Sequence, residues 1–127
     1  VTALARRFPT VRIILDHLGR PDVTDGVPYA KAQSLFDLAP VENIYLKLTP
    51  RIFDDIKKGH ASAETFFPLV VEAFGAKRMA WGSNFPSSTG TLPEILGTAQ
   101  AGLACLSEED RAWVFGKTAQ QLYPVLA

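Results

Sequence analysis

Ile13-Ile14-Leu15-Asp16-His17-Leu18-Gly19-Arg20-Pro21 carries the reading of the fold. Branched apolar residues stop abruptly at a carboxylate and an imidazole, and the chain then turns through glycine and proline. An apolar run bounded in this way is a buried strand, and α/β sheets place their chemistry at the C-terminal lips of such strands. Asp16 and His17 are therefore candidate site residues. Taken alone in a loop, an Asp-His dipeptide is more often a solvated turn. Neighbours in a strand point to opposite faces, so if His17 faces the site, Asp16 must hydrogen-bond a loop or an adjacent ligand.

The totals set limits on what surrounds that junction. The 127 residues suit one domain, and 47% hydrophobic residues supply material for a core. Thirteen basic and thirteen acidic residues cancel, so no overall field favours nucleic acid, an acidic substrate or a membrane surface. Nor is there a basic stripe interleaved with aromatics, a glycine-rich phosphate loop, or an apolar stretch long enough to span a bilayer. The single Cys105 fits a reducing compartment, and with no signal peptide ahead of the first strand the expectation is a cytoplasmic protein. The chain opens on Val1 in what reads as the last turns of a helix, so it is expected to begin inside a fold.

Along the chain, Ala3 to Phe8 reads as a helix end stopped by Pro9, and Val11 to Leu15 as the first strand. Tyr29, Ala32, Leu35, Phe36 and Ala39 recur at helical spacing until Pro40. Asn43 to Thr49 reads as the second strand, with Ile44, Leu46 and Leu48 on one face and Tyr45 and Lys47 on the other. A charged loop follows, carrying Asp54, Asp55, Lys57, Lys58 and His60. Ser62 to Gly75 is a helix with a broad apolar face, and Arg78 to Gly82 a short third strand running into Ser83-Asn84-Phe85-Pro86. Leu92 to Leu103 is helical. Ser107 caps another helix that passes Trp113 and Phe115 to Gly116, and a last short helix from Thr118 buries Leu122 and Tyr123. Strands alternating with helices predict parallel βαβ units.

All three strands end in polar groups: Asp16 and His17 on the first, Lys47, Thr49 and Arg51 on the second, Ser83 and Asn84 on the third. In a parallel sheet these ends share one edge, which suits a polar or anionic small molecule. Leu15-Asp16-His17-Leu18-Gly19-Arg20-Pro21, then Ile44-Tyr45-Leu46-Lys47-Leu48-Thr49, then Arg78-Met79-Ala80-Trp81-Gly82-Ser83-Asn84-Phe85-Pro86 resembles the C-terminal part of the amidohydrolase-related family of (β/α)8 barrels, with its lactonase and decarboxylase relatives. The resemblance implies an α/β chain over residues 1–127 holding about three βα units of a TIM barrel, strands six to eight with their helices. A whole barrel takes roughly 250 residues.

The resemblance implies a hydrolase that opens a lactone or a related C–O or C–N bond in a small carboxylated metabolite. The alternatives are a decarboxylase of the same family and a non-catalytic binding protein or inactive fragment. His17 maps onto the strand-six histidine, as a group that orients substrate or ligates a divalent metal, zinc foremost, in a full-length protein. Arg20, Lys47 and Arg51 map onto substrate binding. At the strand-eight turn the family presents an aspartate, where this chain has Asn84. A carboxamide has no proton-accepting state, so general-base chemistry at Asn84 is excluded and a hydrogen bond to substrate or water remains. The family's first-strand His-x-His has no counterpart here, and His17, His60 and Asn84 make a poor tetrahedral site.

Each assignment has a plainer reading. Lys47 is equally an ion-pair partner for Asp16, and Arg51 a surface residue. His60 reads as a loop residue, Trp81 as core or cleft wall, and Cys105 as packing on the apolar side of a helix. Ser83 has no adjacent base. Open strand edges on a partial barrel would favour a homo-oligomer.

Overall fold

Strand β2, Ile44–Leu48, lies at the centre of a three-stranded parallel sheet, flanked by β1, Ile13–Leu15, and β3, Met79–Trp81. The computed structural model describes residues 1–127 throughout. The register pairs Ile14 with Tyr45, Leu46 with Met79, Lys47 with Ala80 and Leu48 with Trp81. Alternation along β2 follows from these pairings. Ile44, Leu46 and Leu48 are wholly buried, while Tyr45 and Lys47 are half-buried on the opposite face.

The buried face packs against helices. Helix α4, Ala63–Phe74, contributes Phe66, Phe67, Val70 and Phe74 to one continuous core with Leu46, Leu48 and Met79. Before it lie α1, Thr2–Arg7, the short α2, Gln33–Phe36, and α3, Pro50–Ile56. After β3 come α5, Leu92–Gly102, α6, Glu108–Ala112, and α7, Thr118–Leu122. No helix is long and apolar enough to cross a membrane.

The structure shortens or redraws several expected elements. The charged stretch after β2 is helix α3, because Ile52, Phe53 and Ile56 form an apolar face that its acidic and basic residues conceal in a linear reading. The expected helix from Tyr29 to Ala39 shrinks to one 3₁₀ turn, Ala30–Ala32, and α2. Tyr29 precedes it at φ 62° and spends its hydroxyl on Thr65, 2.6 Å away. The helix expected to stop at Gly116 instead widens into a π turn, Trp113–Lys117, and continues into α7. There the buried Thr118 hydroxyl donates to the Ala76 carbonyl at 3.1 Å. Tyr123 is exposed, not buried, and so is Cys105, which lies in the turn after α5 and not on a helix face.

Candidate active site

Directly after β1 the backbone winds left-handed. His17, Leu18, Gly19 and Arg20 have φ of 53°, 53°, 73° and 58°. Only glycine takes such values freely, and each of the other three costs about 1–2 kcal/mol. Strain concentrated on consecutive residues is a feature of turns whose side chains must be aimed. Here it directs the His17 ring onto β2's end, where Nδ1 lies 2.6 Å from the hydroxyl of the fully buried Thr49.

The other side of the ring meets Asp16. His17 Nε2 lies 3.4 Å from one Asp16 carboxylate oxygen, and Lys47 Nζ lies 3.1 Å from the other. Burial pushes the Asp16 carboxyl upward, but the hydrogen bond and charge of Lys47 and the neighbouring His17 hold it below the usual carboxylate range. Of the two roles weighed for Lys47, the ion pair with Asp16 is the one present in this geometry. Lys47 reaches Asp16 across Gly82 at the end of β3. A Cβ on Gly82 would come within 2.7 Å of Lys47 Cε. Lys47 thus ties the end of β2 to Asp16 and passes over the end of β3.

Beside this cluster lie two polar grooves. One, about 440 Å³, is lined by Arg51 and Lys58, by the carboxylates Asp54, Asp55 and Glu94, and by Asn84 among others. The second, about 190 Å³, is lined by Arg20, Asp22, Thr24, Arg51, Asp55 and Lys58 among others. Arg51 therefore borders both, joining Asn84 on one side to Arg20 on the other. Its Nε lies 3.4 Å from Asp55, which also holds Lys58. Asn84 is exposed at φ 52°, and its carbonyl accepts the Ser88 amide at 3.0 Å. His17 and Lys47 line neither groove.

The remaining candidates fall outside the site. His60 is exposed in a loop, with its amide on the Thr24 carbonyl. Ser83 accepts the Phe85 amide and closes the turn. Trp81 shares the helix-facing side of β3 with Met79 and packs on Phe115 at 5.8 Å, so it is a wall of the helix layer. In the sequence Thr49 is one strand-end group among several, with nothing to single it out. Its partner lies 32 positions away, and no spacing rule links the two.

The donors of this chain alone do not complete a metal site. No group of three or more His, Cys, Asp or Glu side chains is placed to hold an ion. Near His17 the available donor is Asp16, already paired with Lys47.

A family model described as amidohydrolase matches residues 1–125. An L-fucono-1,5-lactonase of Burkholderia ambifaria is 32% identical over 136 residues, covering 97% of this chain and 45% of its own. In fold, the chain is similar to an amidohydrolase from Burkholderia multivorans with bound zinc (TM-score 0.73, 22% identity, 98% of this chain and 48% of that one). It is also similar to a Pseudomonas putida protein described as a 2-pyrone-4,6-dicarboxylic acid hydrolase (TM-score 0.71, 21% identity, 98% and 48%). The chain spans about half the length of each.

Proposed function

Because the chain belongs to the amidohydrolase family, matched over residues 1–125, we propose that it carries the substrate-orienting edge of a hydrolase that opens small carboxylated lactones. The observation that carries this reading is that His17, Arg51 and Asn84 each follow the carboxyl end of one of three parallel strands, Arg51 and Asn84 lining one groove and His17 held on Thr49 beside it. The similarity to a lactonase supports the bond type, and Arg20 and Arg51 in the smaller groove support an anionic substrate. The sheet then represents strands six to eight of an eight-stranded barrel.

In this scheme Arg51, with Arg20 beside it, holds the substrate carboxylate, since a guanidinium fork matches carboxylate geometry. His17 donates to the lactone carbonyl oxygen and stabilises the charge that develops there. Water adds to the carbonyl carbon, the ring C–O bond breaks, and the ring oxygen leaves with the proton that water gives up. The carboxamide of Asn84 hydrogen-bonds the water or the ring oxygen but takes no proton. Since the donors of this chain alone do not complete a metal site, no step is routed through one.

The test is turnover of a lactone panel, including L-fucono-1,5-lactone and a pyrone dicarboxylate, by the wild-type chain and by Asn84→Asp. The reading expects ring opening by the wild type and equal or faster opening by the variant. A carboxylated lactone that raises the thermal midpoint but is never consumed would instead support the binding protein.

A further inference from the structure

Two polar side chains in the molecule are fully buried, Thr49 and Thr118. Thr118 anchors α7 to a backbone carbonyl in the ordinary way. Thr49 does something different. It occupies the N-cap of α3, where a threonine hydroxyl normally accepts a backbone N–H of the helix's first turn, yet its side chain makes no such bond. The hydroxyl is instead spent on His17 Nδ1 at 2.6 Å. Helix α3 gives up its side-chain cap so that the imidazole can have a partner.

We infer that Thr49 is a positioning residue that fixes His17 as the tautomer carrying its proton on Nε2. Thr49 Oγ1 has no hydrogen-bond partner besides this imidazole nitrogen. If Nδ1–H donated to Oγ1, the hydroxyl hydrogen would be left without an acceptor in a fully buried place, which is costly. The Nε2 lone pair would also face the Asp16 carboxylate 3.4 Å away. With Thr49 donating to Nδ1 both conflicts vanish, and Nε2–H points its hydrogen toward Asp16. His17 then offers the site a donor and not a lone pair. That makes it a group that polarises a carbonyl oxygen by donating from Nε2, once substrate replaces Asp16 as the acceptor. The tautomer follows from geometry alone, while its use in polarising a carbonyl rests on the hydrolytic reading above.

The experiment is ¹⁵N NMR of the His17 ring in the 127-residue chain, in chelator-treated buffer well above the ordinary imidazole pKa of about 6.5. A His17→Gln spectrum assigns the signals against His60. The expected result is one neutral tautomer with Nε2 protonated and Nδ1 unprotonated. Thr49→Val should convert it to a mixture, and Thr49→Ser should preserve it. A wild-type ring protonated on Nδ1 would overturn the inference, as would a Thr49→Val spectrum identical to wild type or a Thr49→Ser spectrum matching that of valine. Should the valine variant fail to fold, the wild-type tautomer still decides. The spectrum needs no substrate, so a chain without lactonase activity leaves this test intact.

Discussion

At the residue scale, Lys47 and Gly82 illustrate how much of the site depends on something small. Lys47 bridges from β2 to Asp16 because Gly82 leaves its path clear. The atom a new Cβ would meet is the far end of a flexible side chain, so Gly82→Ala should barely change stability. It should nevertheless push Lys47 off Asp16. Gly82→Ala and Lys47→Met are then expected to lower lactone kcat/KM by a similar factor, and the double variant by no more than either alone, as residues acting through one contact do. Additive losses would separate the two. The sequence shows this pair only halfway: the neighbouring strand ends suggest an ion pair between Lys47 and Asp16, but the glycine's part emerges only when β2 and β3 lie side by side. Asn84 is legible as a departure from the family's aspartate, whereas the groove it shares with Arg51 depends on α3, whose charges hide its apolar face in the linear sequence.

Among the elements, the legible ones are those whose apolar spacing is long enough to outweigh their charges. Helix α4 satisfies that condition over twelve residues, and α3, with seven, does not. Tertiary hydrogen bonds decide other boundaries. The Arg78 guanidinium donates to the carbonyls of Phe74, Val41 and Ala39, tying the end of α4 to the chain entering β2, so Arg78 ends the turn before β3 instead of opening the strand. Helix α5 carries a pH-dependent start. The Glu94 carboxylate accepts the Thr91 amide at 2.7 Å and its hydroxyl at 2.8 Å, and these bonds hold its pKa below the usual range. A depressed folded value means the stabilisation is fully present above the ordinary glutamate pKa of about 4.3 and is lost as pH falls through the folded one. The protection of the amides in the first turn of α5, relative to their intrinsic exchange, should therefore fall on acidification below pH ~4, and Glu94→Gln should remove that acid-dependent step. A first turn equally protected across that range would contradict it.

On the scale of the whole molecule, three strands in the order β1-β2-β3 leave the outer sides of β1 and β3 without a strand partner. Free parallel edges invite pairing with another chain, so the 127-residue chain should self-associate with rising concentration in light scattering. A monomer that persists at high concentration would mean that the edges are otherwise protected. The parallel α/β order and the gathering of polar groups at one edge follow from apolar runs, helical spacing and turn residues, which are local signals. The left-handed turn at His17 and its bond to Thr49 are not local in that sense, since a strained backbone is tolerated only where the surrounding fold imposes it. The central claim is that His17, set at that edge, serves the opening of a lactone ring. Its most direct test is the rate of lactone hydrolysis by wild type and His17→Ala, assayed side by side under the same conditions. The account predicts measurable turnover by the wild type and a loss of about 10²–10⁴-fold in kcat/KM for the variant. Equal turnover by the two chains would contradict it.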